Sequence, residues 1–416
     1  MRSVVWLMLL ALVAVVAATA LGPNDGLVSI YWGGWRTDLS LNLFVILLLA
    51  GCVLLMAALR AGSSLLSLPR RANEWRALRR ERAAQAALRE ALAESFAGRW
   101  GRARKAAERA VTIADGAAEA VLDAEFRALA LLVAAGSLHR LQDTRRRDEA
   151  LRQALKLGKG LRAGPRHVEE SARLLAAEWA LDDRDATRAL ELLEALPPGA
   201  ARRTQALRLK LQALRMLRRP LEALHTARLL SNHGAFSPAA ARSLLRSLAV
   251  ESLDGAHDLQ QLRRLWDQFD TADQRDAFVA ARAAQRAAQL EAAADGREWL
   301  RPFWERLSEL AREDREPVAL ALIEARAGIG SDWLPRLEAA AQAWGHESAI
   351  VAAVGMAFAE RRLWGKARRL LEQAAASPAL PAATRRAAWR QLAALAREEG
   401  DEARALSCEQ AAAALD

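Results

Sequence analysis

The sequence predicts an all-α protein, with an N-terminal two-helix membrane hairpin followed by a long array of short helices. Two apolar runs near the N-terminus are long enough to cross a bilayer, and the remaining chain is rich in alanine, leucine, arginine and glutamate. These four residue types favour helix, and the aromatic fraction is only 5%. After residue 60, no run of alternating β-branched residues predicts a strand.

The transmembrane hairpin is predicted over residues 1–60. Its two spans cover residues 4–21 and 41–59. Each would extend roughly 27 Å at about 1.5 Å per residue, close to a hydrocarbon core of about 30 Å. The polar segment between them contains three aromatic residues whose rings suit the headgroup layer. These predicted membrane-interface residues are Tyr31, Trp32 and Trp35.

The arginines that follow the second span predict that the body of the chain lies in the cytoplasm. Residues 61–73 are predicted to be a basic linker that leaves the membrane, with a helix end at Pro69 and a new helix near Asn73. The formal net charge is +10. We attribute the excess beside the membrane to anionic lipid and predict no nucleic-acid partner. The further predicted interface residues are Arg60, Arg70 and Arg71.

A cleaved signal peptide is an alternative interpretation of the first apolar run. Ala18-Thr19-Ala20 fits the small-x-small cleavage pattern. The run is 18 residues long, however, whereas a typical signal-peptide core has about 7–15. Cleavage after Ala20 would leave one span and would keep the body on the same side of the membrane.

The body shows internal repeats of small residues. Ala189 and Ala223 are 34 residues apart, and Trp100-Gly101 and Trp364-Gly365 begin similar segments. Ala150, Ala154 and Leu157 predict a further unit. The pattern of Gly, an aromatic residue and then spaced alanines resembles the tetratricopeptide repeat, in which small residues let paired helices approach closely. The predicted packing residues are Ala103, Ala110, Ala189, Ala223, Gly355, Phe358, Ala367, Leu371, Ala374, Ala405 and Ala412.

The repeats divide the body into three predicted blocks. Residues 74–239 form a first tetratricopeptide-like block and residues 345–416 a second. Residues 240–344 match the pattern poorly and predict degenerate helical pairs. Three prolines are expected to break that middle region into short helices. They are Pro302, Pro317 and Pro335.

Motifs for catalysis and for metal or nucleotide binding are absent from the sequence. The six histidines have no metal-ligand spacing, and Cys52 and Cys408 form no CxxC motif. The glycines at 158, 160 and 164 do not match the dinucleotide fingerprint. We therefore predict no catalytic residue, no metal site and no enzymatic activity. The 13 tryptophans are interpreted as packing residues, although some could line a groove for a peptide or a flat apolar ligand.

The whole arrangement resembles the proteobacterial HemY family. The resemblance rests on the loop segments Gly26-Leu27-Val28-Ser29-Ile30 and Asp38-Leu39-Ser40-Leu41, the Arg-rich exit through Pro69, and a repeat ending Gly-x-Trp-x-x-Ala. It covers essentially all 416 residues and is most specific over the first 110. A flavoenzyme that oxidises protoporphyrinogen shares the family name in other bacteria, but this chain lacks the Rossmann glycines that such an enzyme needs.

The resemblance implies a bacterial inner-membrane scaffold that organises or regulates late haem or protoporphyrin biosynthesis through protein–protein contacts. Late haem-pathway enzymes such as ferrochelatase would be its partners. Two alternatives stay open from the residues: a carrier that binds haem or protoporphyrin directly, and a generic membrane-tethered scaffold for envelope assembly. The sequence leaves the cofactor-binding residues and the oligomeric state unassigned.

Overall fold

Helices form most of the chain, which confirms the predicted helical class. The computed structural model describes residues 25–116, 124–159 and 167–415, together with Val13. The remainder of the predicted first span, with its cleavage motif, lies outside these residues, and so do the side chains of Arg70 and Arg71. The chain divides into two compact units, Met1–Ala163 and Gly164–Asp416. Each unit is described by itself.

The first unit begins with a β-hairpin that the sequence analysis did not predict. Strand β1 (Leu27–Trp32) pairs antiparallel with β2 (Trp35–Ser40), so that Leu27 lies opposite Ser40 and Trp32 opposite Trp35. The turn uses Gly33 and Gly34, with φ of +53° and +89°. Positive φ at both central residues is the geometry of a type I′ turn, which glycine adopts without a Cβ clash.

Helix α1 (Leu41–Phe96) follows the hairpin and runs for 56 residues. The Ser40 hydroxyl accepts a hydrogen bond from the Leu43 amide and so caps its first turn. The prediction that a helix ends at Pro69 and restarts near Asn73 is wrong, because α1 continues through both residues. A proline inside a helix removes one backbone hydrogen bond and costs about 3 kcal/mol. The flanking leucine, arginine and alanine residues are strong helix formers, and they offset this cost.

Three further helices complete the described part of the first unit. They are α2 (Trp100–Asp115), α3 (Ala124–Arg140) and α4 (Thr144–Lys159), and each packs against the helix before it. The interface of α1 with α2 and α3 is lined by alanines, including Ala84, Ala87 and Ala91 on α1. Small side chains let these helix axes approach closely.

The second unit is a succession of short helices. In chain order they are α5 (His167–Asp182), α6 (Ala186–Glu194), α7 (Pro198–Ala201), α8 (Thr204–Met216), α9 (Pro220–Asn232), α10 (Pro238–Asp254), α11 (Leu259–Gln268), α12 (Thr271–Gln274), α13 (Ala277–Gln289), α14 (Ala293–Trp304), α15 (Arg312–Glu324), α16 (Leu334–Ala343), α17 (Ser348–Glu360), α18 (Trp364–Ala376), α19 (Ala382–Glu398) and α20 (Glu402–Ala413). Single 3₁₀ turns lie at Leu307–Glu309 and Ser331–Trp333.

The same turn joins the two helices of successive pairs. In the turn between α5 and α6, Arg184 has φ of +62°, and the next amide, that of Asp185, donates to the Ala180 carbonyl five residues earlier. This is a Schellman motif, which ends a helix in the left-handed region. Equivalent turns place a positive-φ residue two positions before α2, α4, α9, α14, α18 and α20. Those residues are Gly98, Gln142, Arg218, Glu291, Arg362 and Gly400.

The middle of the second unit continues this helical packing. Helix α10 packs on α13, α13 on α15, and α15 on α17. Pro335 starts α16, but Pro302 and Pro317 lie inside α14 and α15, so the prediction that these two prolines break helices is wrong. The carbonyls that lose their partners belong to Glu298 and Glu313, which are both exposed, so water can hydrate them.

Candidate functional site

The N-terminal half of α1 is an exposed apolar surface. Residues Leu41–Arg60 are long and apolar enough to cross a membrane, and none of this segment is buried against the rest of the protein. Among the described residues it is the one helical segment that is both long enough and apolar enough to cross a membrane. Helix α17 is also apolar, but it is shorter and buried from Ala349 to Ala359. A core position accounts for α17, whereas a hydrated Leu41–Arg60 would be highly unfavourable.

The β-hairpin sits directly at the start of this apolar helix. The Leu41 amide donates to the Gly26 carbonyl at 2.9 Å, which ties the base of the hairpin to the first turn of α1. At the other end of the hairpin, Trp32 and Trp35 form the last pair before the turn and are 84% and 81% exposed. Tyr31 is exposed beside them. The hairpin therefore carries three exposed aromatic rings at its turn, the end that lies away from the candidate membrane span.

The two faces of the hairpin differ in polarity. Alternation along the paired strands places Val28, Ile30 and Trp32 on one face with Trp35 and Leu39. The opposite face carries an exposed polar network centred on the Asp38 carboxylate. An amphipathic hairpin of this kind is suited to the boundary between water and lipid.

Asp38 is the centre of the polar face. The Ser29 hydroxyl donates to its Oδ1 at 2.5 Å and Arg36 Nε donates at 3.0 Å, while the Arg36 guanidinium also lies over the Tyr31 ring at 5.8 Å. The hydrogen bond from Ser29 and then that from Arg36 lower the pKa of Asp38 below its ordinary value of 3.8. The network ties one strand to the other across the sheet.

The predicted repeat residues all lie in helix–helix contacts. The ten alanine, leucine and phenylalanine residues among them are 0–4% exposed, and Gly355 is buried with them. An added Cβ at Gly355 would come within 3.1 Å of Leu370 Cβ and 3.3 Å of the Leu371 amide nitrogen. Their placement fits a packing role, and these side chains are too buried to meet a ligand.

A common position explains the small-residue spacing. In seven of the helix pairs, the fourth residue of the second helix is buried at the contact with the first helix. Sequence analysis missed two members of this set, Gly296 and Arg147. The full set is Ala103 in α2, Arg147 in α4, Ala189 in α6, Ala223 in α9, Gly296 in α14, Ala367 in α18 and Ala405 in α20.

Arg147 shows why the α4 unit was placed wrongly. The sequence analysis put the key small residue at Ala150, whereas the structure puts Arg147 at the buried position and leaves Ala150 partly exposed. Arg147 Nη1 lies 3.1 Å from His139 Nδ1, and its Nε donates to Asp148 at 2.8 Å. These contacts allow a long charged side chain where alanine is usual.

Several tryptophans fill the seams between helices. Trp304 and Trp333 are almost fully buried and meet edge to face, with ring centroids 6.3 Å apart. Trp266 and Trp299 stack at 5.0 Å and are partly buried. This geometry agrees with the interpretation of these four residues as packing residues.

The arginines of one charged cleft in the second unit are paired within the protein. A cleft of about 410 Å³ is lined by Arg263, Arg297 and Arg301, among others. Arg263 pairs with Asp295 at 2.7 Å and Arg301 with Asp332 at 2.9 Å. Arg297 donates to the carbonyls of Ala325 and Ala327 at 2.7 and 2.6 Å. The described residues contain no group of three or more His, Cys, Asp or Glu that could hold a metal ion.

A ladder of ion pairs joins consecutive second helices in the second unit. It links α11, α14, α16, α18 and α20 in chain order, with Glu305 directly after the end of α14, and its nitrogen–oxygen distances lie between 2.5 and 2.8 Å. Exposed pairs of this kind contribute about 0–1 kcal/mol each, so they set the register between helices more than they stabilise them. The pairs are Arg263–Asp295, Arg336–Glu305, Lys366–Glu338 and Arg404–Glu372.

Comparison with known families finds a match for the N-terminal part of the chain. The family described as "HemY protein N-terminus" matches residues 26–135. Over these residues the chain matches the N-terminal domain of the HemY family. The match spans the β-hairpin, α1, α2 and most of α3, and it confirms the resemblance over residues 26–135. A HemY N-terminal domain connects the chain with haem biosynthesis and with a membrane, and the exposed apolar half of α1 lies inside the matched segment.

Other comparisons add little to the family assignment. No curated protein matches the chain. A solved structure, "Structure of Naa15/Naa10 bound to HypK-THB", is 13% identical over 76% of this chain, with a TM-score of 0.25. The chain covers 56% of that chain's length. At this TM-score the likeness carries no argument about fold or function.

Proposed function

We propose that this HemY family protein is a membrane-tethered, tetratricopeptide-like scaffold that organises late haem or protoporphyrin biosynthesis through protein–protein contacts. It lies in the bacterial inner membrane, has no catalytic activity of its own, and holds its helical body in the cytoplasm. One observation carries the proposal. An exposed apolar segment, Leu41–Arg60, continues without a break into the helix that packs the first helix pairs.

The orientation of the tether follows from what flanks Leu41–Arg60. The β-hairpin and its aromatic rings precede the segment, and an Arg-rich stretch follows it. Basic residues near the end of a span favour the cytoplasmic side, and tryptophan and tyrosine favour the headgroup layer. With the second span that the sequence predicts at residues 4–21, outside the described residues, both the N-terminus and the body would lie in the cytoplasm. Tyr31, Trp32 and Trp35 then lie at the outer surface of the membrane.

Repeated helix pairs support partner binding over catalysis. The recurring Schellman turns, and the alanine or glycine that most of these second helices carry at their fourth position, hold the helix pairs in similar geometry. Such arrays offer extended surfaces to other proteins. The arginines of the cleft around Arg297 are satisfied by carboxylates or backbone carbonyls, which argues against a role for them in acid–base or nucleophilic chemistry. The HemY resemblance points to late haem-pathway enzymes, such as ferrochelatase, as the partners.

Photo-crosslinking in intact membranes tests this function. A crosslinking amino acid at Gln212, an exposed position on α8, probes the helical body, and one at Thr37 in β2 probes the hairpin as a matched control. We expect ferrochelatase or another late-pathway enzyme to be captured from Gln212 and not from Thr37. Capture of envelope-assembly or secretion proteins alone from Gln212 would contradict the haem-pathway role and favour the generic scaffold.

A further inference from the structure

The cytoplasmic half of α1 carries a regular exposed stripe, which we call the α1 seam. Its residues follow one another at alternating intervals of three and four, the spacing of a coiled-coil contact face. The two ends are apolar and the middle is polar. The seam consists of Trp75, Leu78, Arg82, Gln85, Arg89, Leu92 and Phe96, all of them exposed.

The seam lies on the side of α1 that does not pack against the first unit. Ala84, Ala87 and Ala91 on the other side are buried against α2 and α3. Phe96, at the end of the seam, is 90% exposed, and Trp75 is 61% exposed. Four exposed large apolar side chains in register on one helix face are a typical feature of a binding surface.

The arginines in the middle of the seam have little to neutralise them. Within the described part of the chain, Arg82 makes no hydrogen bond or ion pair, and Arg89 donates only to the Gln85 carbonyl, at 3.3 Å. Arg79, beside the seam, lies over the Trp75 ring at 5.3 Å. The only acidic contact of a seam residue among those described is the bond from Gln85 to Glu81. The middle of the seam is therefore positively charged.

Neither the lipid bilayer nor a second copy of this chain fits the α1 seam. The seam begins at Trp75, fifteen residues after Arg60, which is about 22 Å along the helix and beyond the headgroup layer of the bilayer. A second copy in the same membrane would run parallel and would place Arg82 opposite Arg82 and Arg89 opposite Arg89. Like charges at such positions disfavour pairing.

We propose that the α1 seam docks one helix of a partner protein, with apolar residues at its two ends and carboxylates in the middle. Trp75, Leu78, Leu92 and Phe96 would receive the apolar ends, and Arg82 and Arg89 would pair with the carboxylates. The exclusion of the bilayer rests on the proposed membrane attachment. The charge argument is independent of it, because it depends only on the seam itself.

Two labelled synthetic helices test the proposal on the full-length protein in detergent. Both peptides carry leucine at the outer contact positions; one has glutamate at the central positions and the other has lysine. Fluorescence anisotropy should show the acidic peptide binding at least about tenfold tighter than the basic one. Arg82→Glu/Arg89→Glu should reverse this preference. The control Arg102→Glu/Lys105→Glu, two exposed residues on α2, changes the net charge equally and should leave the preference unchanged.

Three results would overturn the proposal. The first is equal binding, or no binding, of the two peptides by the wild-type protein. The second is a concentration-dependent dimer that Leu78→Asp/Leu92→Asp abolishes, which would assign the seam to a second copy. The third is quenching by brominated lipid of a fluorophore placed at Arg82→Cys in reconstituted protein, which would assign the seam to the bilayer.

The seam and the scaffold function can fail separately. One outcome is that the Arg82→Glu/Arg89→Glu variant loses binding of the acidic peptide while crosslinking from Gln212 in the same variant still captures a haem-pathway enzyme. Both proposals then stand, and the seam binds a partner other than that enzyme. If neither peptide binds but the capture persists, the seam proposal falls alone. If the peptide preference holds and the capture shows other partners, the haem-pathway function falls alone.

Discussion

Arg315 and Glu347 form a nearly buried ion pair that joins α15 to the residue preceding α17. Arg315 Nη2 lies 2.5 Å from Glu347 Oε1, and the two side chains are 11% and 9% exposed. The guanidinium also lies 4.0 Å from the centroid of the Trp344 ring and donates to the Leu310 carbonyl at 2.6 Å. The pair therefore fixes the relative position of two successive first helices.

Removing one partner of this pair should be costly. Glu347→Ala would leave the Arg315 guanidinium buried without a carboxylate, which we expect to lower the free energy of unfolding by about 3–5 kcal/mol. The double variant Arg315→Met/Glu347→Leu should lose less than the single variant, because no unpaired charge remains. Urea unfolding followed by far-ultraviolet circular dichroism measures both. Equal losses in the two variants would show that the charge pairing is not the source of stability.

Gly296 and Gly365 should respond in opposite directions to alanine. A Cβ at Gly296 would lie 2.9 Å from the Ala284 carbonyl oxygen and 3.2 Å from Ala284 Cα, so α13 and α14 would have to separate. We expect Gly296→Ala to destabilise the protein by about 1–3 kcal/mol. Gly365, in α18, has open space around it, so Gly365→Ala should stabilise by up to about 1 kcal/mol. Thermal unfolding of the two variants gives the comparison.

The hairpin should lose stability at acid pH. Its Asp38 has a lowered pKa because of the bonds from Ser29 and Arg36. The contribution of a carboxylate with a lowered folded pKa is complete above the unfolded value, here 3.8, and is lost as pH falls through the folded value. Amide hydrogen exchange of β1 and β2, corrected for intrinsic rates, should show weaker protection below pH 3.8. Asp38→Asn should remove this pH dependence, and Asp25→Asn, outside the strands, should retain it.

The helix contacts that depend on the spacing of small residues along the chain were predictable from the sequence. Small residues at Ala103, Ala189 and Ala367 predicted close helix contacts, and each is fully buried. The β-hairpin was missed because residues 22–40 were interpreted only as a polar connection between two spans. Gly33-Gly34 between Trp32 and Trp35 was the signal that could have revealed it.

Positions where the surroundings of a residue outweigh its usual structural preference could not be predicted from spacing. Pro69 ends a helix by local preference, yet the strong helix formers around it outweigh that preference. Arg147 occupies a position where alanine is usual because His139 and Asp148 contact its guanidinium. The α1 seam needed the structure, because only the burial of Ala84, Ala87 and Ala91 shows which side of the helix is left exposed.

Cys408 should react slowly with thiol reagents in the folded protein. The thiol is buried, and burial raises its pKa above the ordinary value of 9.0, so less thiolate is present at pH 8. In a Cys52→Ser background, maleimide labelling should be slow and should accelerate in urea. Leu406→Cys with Cys52→Ser and Cys408→Ser places a thiol at an exposed position on the same helix and should label quickly without urea. Fast labelling of native Cys408 would contradict the packing of α20 described here.

The orientation of the tether is the central claim, because it decides which compartment holds the helical array. Intact spheroplasts carrying Thr37→Cys in the hairpin, or Leu406→Cys in α20, can be treated with a membrane-impermeant maleimide in a background with Cys52→Ser and Cys408→Ser. The account predicts labelling of Thr37→Cys in intact spheroplasts, and of Leu406→Cys only after the membrane is opened. Labelling of Leu406→Cys in intact spheroplasts would place the array outside the cytoplasm and contradict the proposed function.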